Sequence, residues 1–263
     1  YHQCRECPIR TSKMQPDSTE KTFEPAWWLP EGHSQTRWRK FAGAEPVEHI
    51  RNRVELEDGD FIDVDWLSAS PADSAGQRAL VFLLHGLCGS SSSSYILSLQ
   101  RHLSKGGYSS VAMNFRGCSG DLNRRSRAYH SGVSDDLQEV LSAVIETFNP
   151  DSVSLVGYSL GANVLLKWLG EGRNYAKINR AVAVSTPFTL GLCSQAMLSG
   201  VSRLYGGYFT RRLLRDFLAK RQAFKQAGAA DFDQLSELGD VSHISSILAV
   251  SYTHLRAHET EEN

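Results

Sequence analysis

The 263-residue chain has no excess of charge of either sign: 28 Lys and Arg stand against 29 Asp and Glu, a formal net charge of -1. Without a basic balance there is no electrostatic footprint for nucleic acid. Cysteine is scarce, five residues scattered along the sequence, and an odd, dispersed set does not make a disulfide framework. Cys4 and Cys7 form a lone CxxC with no second pair, so a zinc site is not expected. No apolar stretch approaches the roughly 20 residues of a membrane span, and no signal-like apolar segment precedes the body of the chain. A cytoplasmic setting is therefore the default expectation. No internal repeat appears, and no GxGxxG follows the first strand-like run, which argues against a dinucleotide-binding fold. Hydrophobic content of 41% and charged content of 22% are those of a globular protein. The length suits one large α/β domain rather than two.

What is present is a serine framed by glycines. Gly157-Tyr158-Ser159-Leu160-Gly161 follows Val153 to Val156, which reads as a buried strand, and opens Leu160 to Leu169, which reads as a helix. A serine at such a strand-to-helix turn fits a nucleophile elbow, where the bend is so tight that the flanking positions must be small. The hydroxyl then projects at the carboxyl end of a sheet, in front of the positive end of a helix dipole. The plainer alternative is a βα turn with a helix-capping serine.

A second signal lies upstream. Ala79 to Leu84 is a continuous apolar run, followed by His85-Gly86-Leu87 and a Gly/Ser stretch from Gly89 to Ser94. In the α/β-hydrolase fold the loop after the third strand supplies one amide of an oxyanion hole, and the residue after the nucleophile supplies the other. Here those amides belong to Leu87 and Leu160. The serine run opens a helix whose Ile96, Leu99 and Leu103 share a face, so an N-cap role is expected for it. His85 precedes the serine, whereas this fold runs Ser, acid, His; it reads as a structural histidine shaping the loop.

Residues 1–22 are polar and pattern-free, an uncertain leader. Phe23 to Phe41 carries Trp27, Trp28 and Trp38 and reads as an irregular strap packing aromatics on the domain. Val47 to Glu57 and Phe61 to Leu67, split by Asp58-Gly59-Asp60, predict a hairpin. Strands and helices then alternate: strand 79–84, helix 95–104, strand 110–114, a helix with Val133, Leu137, Val140, Leu141, Val144 and Phe148 on one face, the elbow, and strand 180–184. This order implies a mostly parallel sheet with helices on both faces over 23–189. Leu190 to Leu238 reads as helical throughout, and 190–250 is the expected helical cap. Its Arg211, Arg212, Arg215, Lys220 and Arg221 predict a solvated basic face, with contact to a membrane surface as the alternative.

These residues resemble the YheT-like branch of the α/β-hydrolase family, with its ABHD1- and ABHD3-type esterases and lipases. The resemblance rests on Gly32-His33-Ser34-Gln35-Thr36, His85-Gly86-Leu87, Asn114-Phe115-Arg116-Gly117-Cys118-Ser119-Gly120, Tyr129-His130-Ser131-Gly132 and Gly157-Tyr158-Ser159-Leu160-Gly161-Ala162-Asn163. It spans about 23–185. It implies a serine hydrolase of carboxylic esters, on short or medium acyl chains or acylglycerols, with no cofactor and no metal. Of the family's Ser–Asp–His triad only the nucleophile carries over, onto Ser159. The family's acid and histidine follow the cap, where no matching segment is found, so the last strands are expected to be missing and the chain as written nearly inactive. His243 falls in the cap-like segment, and His254 and His258 lie in 251–263, which does not resemble the family and reads as a non-native tail after Val250.

Two other readings stay open. An acyltransferase would keep the fold and the acyl-enzyme but pass the acyl group to an alcohol or thiol. A non-catalytic hydrolase-fold module would bind a partner through the cap. A dehalogenase would place Asp at the elbow.

Overall fold

A computed structural model describes residues 24–32, 34–35, 38, 47–69, 78–173 and 176–227. The leader, His33 and Thr36 of the first family-like motif, and the histidines at 243, 254 and 258 lie outside the described residues, as does the 251–263 tail. The chain divides into two compact units, Tyr1–Ala42 and Gly43–Asn263. In the first, Trp28 and Trp38 meet edge to face at 4.6 Å. Trp27 is 89% exposed.

The second unit carries a six-stranded sheet in the order β1-β2-β4-β3-β5-β6. Its strands are β1 (Ile50–Glu55), β2 (Phe61–Leu67), β3 (Ala79–Leu84), β4 (Ser109–Met113), β5 (Ser152–Tyr158) and β6 (Ile178–Val184). β1 and β2 form the expected antiparallel hairpin, β2 pairs antiparallel with β4, and the remaining pairs are parallel. The central strand, ALVFLL, is covered on both faces and therefore apolar throughout. α1 (Ser94–Lys105) packs on one face, its Ile96 against Val81, Leu83 and Ala112. α2 (Ser134–Phe148) and α3 (Leu160–Gly170) close the larger core on the other, around Phe82, Leu141, Leu155 and Trp168. Trp168 is fully buried and its indole N–H donates to Gln138 Oε1 at 2.8 Å.

β4 and β5 lie on opposite sides of β3. The chain leaving β3 crosses one way to β4 and the next crossover runs the other way to β5. That reversal opens a crevice beyond the carboxyl ends of β3 and β5, where doubly wound sheets bind ligands.

Beyond β6 the chain forms α4 (Leu190–Ala196) and α5 (Ser202–Ala227). The expected uninterrupted helix is thus divided, with Gly200 in the break at φ +51. The Met197 carbonyl sits so close to Gly206 that a Cβ there would come within 2.5 Å of it. α5 turns Gly206, Thr210, Lys220 and Phe224 inward. Lys220 corrects the picture of one solvated basic face: it is buried, and its ammonium donates to Asn123 Oδ1 at 2.8 Å and to the Arg127 and Ser126 carbonyls at 3.0 and 3.2 Å. Three acceptors replace the water that burial removes.

The segment after β4 is anchored by charge. The Arg116 side chain is fully buried and forks onto Asp136 with two bonds of 2.8 Å, while Nη1 reaches Asp58 and Asp60 at 2.7 and 2.8 Å. Asp60 also accepts from Asn123 Nδ2 and from the Arg124 and Phe61 amides. Burial alone would raise its pKa, but these donors hold it below the ordinary carboxylate range. Removing one partner of such a cluster strands the others. Arg116→Ala is expected to lower the unfolding free energy by about 3–5 kcal/mol, read by urea denaturation, with Arg116→Lys intermediate because it keeps the charge and loses the fork.

Candidate active site

Ser159 is the whole connection between β5 and α3. Its φ of 51° and ψ of -113° belong to a sparsely populated region for a residue with a side chain. Such a conformation costs of order 1–3 kcal/mol and persists only where its surroundings over-determine it. Here the Ser159 amide donates to the Val184 carbonyl at 2.9 Å, and its own carbonyl accepts from Ala162 and Asn163 at 3.0 and 3.1 Å. Two glycines let the bend close. A Cβ on Gly157 would fall 2.5 Å from the Gly161 carbonyl, and one on Gly161 would fall 2.6 Å from the His85 carbonyl. Both positions require glycine because backbone occupies the space. The Ser159 side chain is half-buried.

The loop His85–Gly89 lies against this bend. A Cβ on Gly86 would come within 3.2 Å of Ser159 Cβ. The Gly86 amide donates to the Tyr95 hydroxyl and the Cys88 amide to the Tyr129 hydroxyl, each at 2.9 Å, and Gly89 N–H closes a turn onto the Gly86 carbonyl at 3.0 Å. Between the two occupied amides, that of Leu87 makes no hydrogen bond among the described residues. Leu160, the residue after the serine, is the first of α3, so its amide is among those a helix leaves without an intrahelical acceptor. The structure therefore brings together all three residues singled out from the sequence: Ser159, Leu160 and Leu87, the last on a loop that touches the bend.

His85 stands behind the loop, fully buried. The Phe115 amide donates to its Nε2 at 3.2 Å. That leaves Nδ1 to carry the proton, which it donates to the Gly86 carbonyl at 2.7 Å. Burial drives its pKa down to about 4, so the ring is neutral and is committed to the loop, as the order of motifs suggested. The serine run departs from expectation. Ser93 stands at the N-cap of α1 without a capping bond; its hydroxyl accepts from the Ser90 amide at 3.0 Å. Ser91 is buried, donating to Asp65 at 2.5 Å while its amide reaches Asn114 Oδ1 at 2.8 Å. Ser91 ties the loop to the sheet through Asp65, and Ser93 spends its hydroxyl oxygen on the Ser90 amide inside the loop instead of on the helix end.

Tyr95 and Tyr129 escaped sequence reasoning. One comes from α1 and the other from the loop before α2, and only the fold brings both hydroxyls to the 85–89 segment. The YHSG stretch flagged Tyr129 as part of a motif without indicating its partner. Tyr129 stacks on Phe115 at 5.5 Å with ring planes 8° apart. Burial raises the thiols of Cys88 and Cys118 to about 11 and about 12, so both are neutral and poor nucleophiles. Among the described residues no cluster of His, Cys, Asp and Glu is placed to hold a metal, and no helix is long and apolar enough to cross a membrane.

The doubly wound sheet, the strained serine bend and the adjoining glycine loop define an α/β-hydrolase architecture. The model of the alpha/beta hydrolase fold family matches residues 79–231. YheT of Escherichia coli K12 is 34% identical over 91% of this chain and 70% of its own length. The human phospholipase ABHD3 is 27% identical over 82% of this chain and 52% of its own length. Thus the chain spans about half the length of that relative. The esterase Pf2001 of Pyrococcus furiosus shares 22% identity and a TM-score of 0.48 over 62% of this chain and 60% of that one. The chain belongs to the α/β-hydrolase family, in its YheT/ABHD-type branch.

Two outcomes follow from this geometry. Above pH 6.5 His85 is neutral in both the folded and the unfolded chain. Between pH 6.5 and about 4 only the unfolded chain takes up its proton, so stability falls as pH falls, by about 1.4 kcal/mol per pH unit at full difference. Urea melts across this window show the slope, and His85→Asn is expected to flatten it. Gly161→Ala drives a methyl into the His85 carbonyl and is expected to cost about 1–3 kcal/mol, read as a lowered melting temperature.

Proposed function

We propose that Ser159 is the nucleophile of a carboxylic-ester hydrolase, with the amides of Leu87 and Leu160 as its oxyanion hole. The observation that carries this reading is the strained Ser159 backbone, set against a loop whose Leu87 amide is open between two occupied ones. The hydroxyl oxygen attacks the ester carbonyl, and the resulting tetrahedral oxyanion is met by the two amides. Collapse expels the alcohol and leaves an acyl-serine, which water hydrolyses to the acid. Losing one oxyanion donor costs about 3–4 kcal/mol in comparable sites. α4 and α5 serve as the cap that limits access of water and acyl chain. The names of the relatives YheT, an esterase, and ABHD3, a phospholipase, favour lipid or other carboxylic esters as the substrate class.

Attack needs a histidine to take the serine proton and a carboxylate to orient that histidine. Among the described residues the Ser159 hydroxyl has neither as a hydrogen-bond partner, and His85 is committed elsewhere. Because the family's acid and histidine follow the cap, where no segment of this sequence matches them, the 263 residues taken alone are proposed to turn over esters only at the residual level, about 10³–10⁴ over water, that a triad lacking its base retains. The test is hydrolysis of p-nitrophenyl butyrate by this chain and by the full-length protein. Full-length turnover and fluorophosphonate labelling, both lost in Ser159→Ala, are expected. Labelling that survives Ser159→Ala, or comparable turnover by the 263 residues, overturns the corresponding part of the reading.

A further inference from the structure

α5 meets the glycine loop directly: the Phe209 carbonyl lies 4.0 Å from Cys88 Sγ, next to the open Leu87 amide. Arg212 is one helical turn beyond Phe209, on the same side of α5. The neighbouring cations of this helix are accounted for. Arg215 pairs with Asp216 at 3.1 Å, Lys220 is held by three acceptors, and Arg211 is exposed. Arg212 differs. It is half-buried, its Nε is shielded from solvent with no hydrogen-bond partner, and it forms no ion pair among the described residues. Among the described residues its one polar contact is from Nη1 to the Tyr208 hydroxyl at 3.3 Å. Asp216, the nearby acid, is engaged by Arg215. The guanidinium charge also reaches the loop itself, where it disfavours protonation of His85 and favours ionisation of the Cys88 and Cys118 thiols.

A shielded guanidinium N–H without an acceptor is an unfavourable arrangement for the protein alone. A planar fork of donors in a partly dehydrated position is suited to an oxyanion, carboxylate or phosphate. We propose that Arg212 is the specificity-determining residue of the site and selects esters that carry an anionic group on an apolar chain, the anion lodging beside the 85–89 loop. This rests on the Ser159 reading for its identification as substrate recognition. The anion-binding part stands without it.

The test separates the two. Calorimetric titration of this chain with octyl phosphate, octyl glucoside and inorganic phosphate measures anion and chain together, the chain alone and the anion alone. Octyl phosphate is expected to bind at least ten-fold more tightly than either of the others. Arg212→Gln should bring it down to the octyl glucoside level, and Arg212→Lys should recover part of the difference, both variants retaining the circular dichroism of the parent. Equal affinity for octyl phosphate and octyl glucoside, or undiminished octyl phosphate binding in Arg212→Gln, overturns the proposal. Inorganic phosphate binding as tightly as octyl phosphate overturns the substrate class, since the ligand is then the free anion. Ser159→Ala should leave octyl phosphate affinity unchanged. In the full-length protein, Arg212→Gln should raise KM for an anionic ester about ten-fold and spare kcat and the neutral ester; an equal loss on both esters also overturns it. Turnover that persists in Ser159→Ala refutes the nucleophile assignment and not the anion site.

Discussion

Everything at the crevice depends on how closely α3 can approach β3. Gly161 lies where a methyl group would strike the His85 and Leu84 carbonyls, at 2.6 and 2.8 Å. That approach fixes where the helix starts and forces a single residue to turn the chain from strand into helix. Ser159 then has no choice of conformation: it takes φ 51° because both neighbours are already positioned by regular structure. The strain is offset by the one large cluster that holds both β5 and α3, with Leu155, Leu165 and Trp168 fully buried. Ground-state discomfort at one residue is thus sustained by packing on either side of it, and the hydroxyl is presented at a fixed place without help from its own side-chain bonds.

The facing loop is built by different physics. It packs Leu87 and Cys88 inward, and its backbone is held by named polar bonds: His85 to Gly86, Tyr95 to Gly86, Tyr129 to Cys88, and Ser91 to Asp65 and Asn114. Asp65 in turn is gripped by Arg51 across the hairpin with bonds of 2.7 and 2.8 Å, in register with it on β1. Burial opposes the charge on Asp65, and Arg51, Ser91 and Asn114 more than compensate, keeping it below its ordinary range. A chain of charge-assisted bonds therefore runs from the solvent edge of the sheet to the loop beside the serine. Bonds of this kind are directional, which apolar packing is not, and direction is what a single open amide demands.

This difference in physics explains what the sequence revealed. Runs such as Ala79–Leu84 and Ser152–Tyr158 and the apolar face of Ser134–Phe148 are local patterns, and their elements lie within one or two residues of where periodicity places them. The elbow is local too, since its requirement for small residues acts within five positions. Polar bonds across the fold leave no such trace. Ser91 meets an aspartate 26 residues earlier, and Lys220 meets carbonyls more than 90 residues before it. A serine run next to a helix looks like a cap, and a lysine among arginines looks like surface, until the partners are known. The division of the helical segment had a local sign, Ser199-Gly200, outweighed by the surrounding leucines.

Lys220 also links the two kinds of construction. Its ammonium binds Asn123, Asn123 binds Asp60, and Asp60 binds Arg116, whose fork ends on Asp136 in the first turn of α2. α5 is thereby attached to the hydrolase core through buried polar atoms at one end and through Phe209 against Cys88 at the other. Between these two fixed points the helix has little freedom to rotate, because turning it would withdraw Lys220 from three acceptors at once. Arg212 lies within that constrained span. Its position near the loop is therefore imposed by the helix's anchors rather than chosen by any partner of its own, which is why a cation can be held there with its Nε–H unmatched.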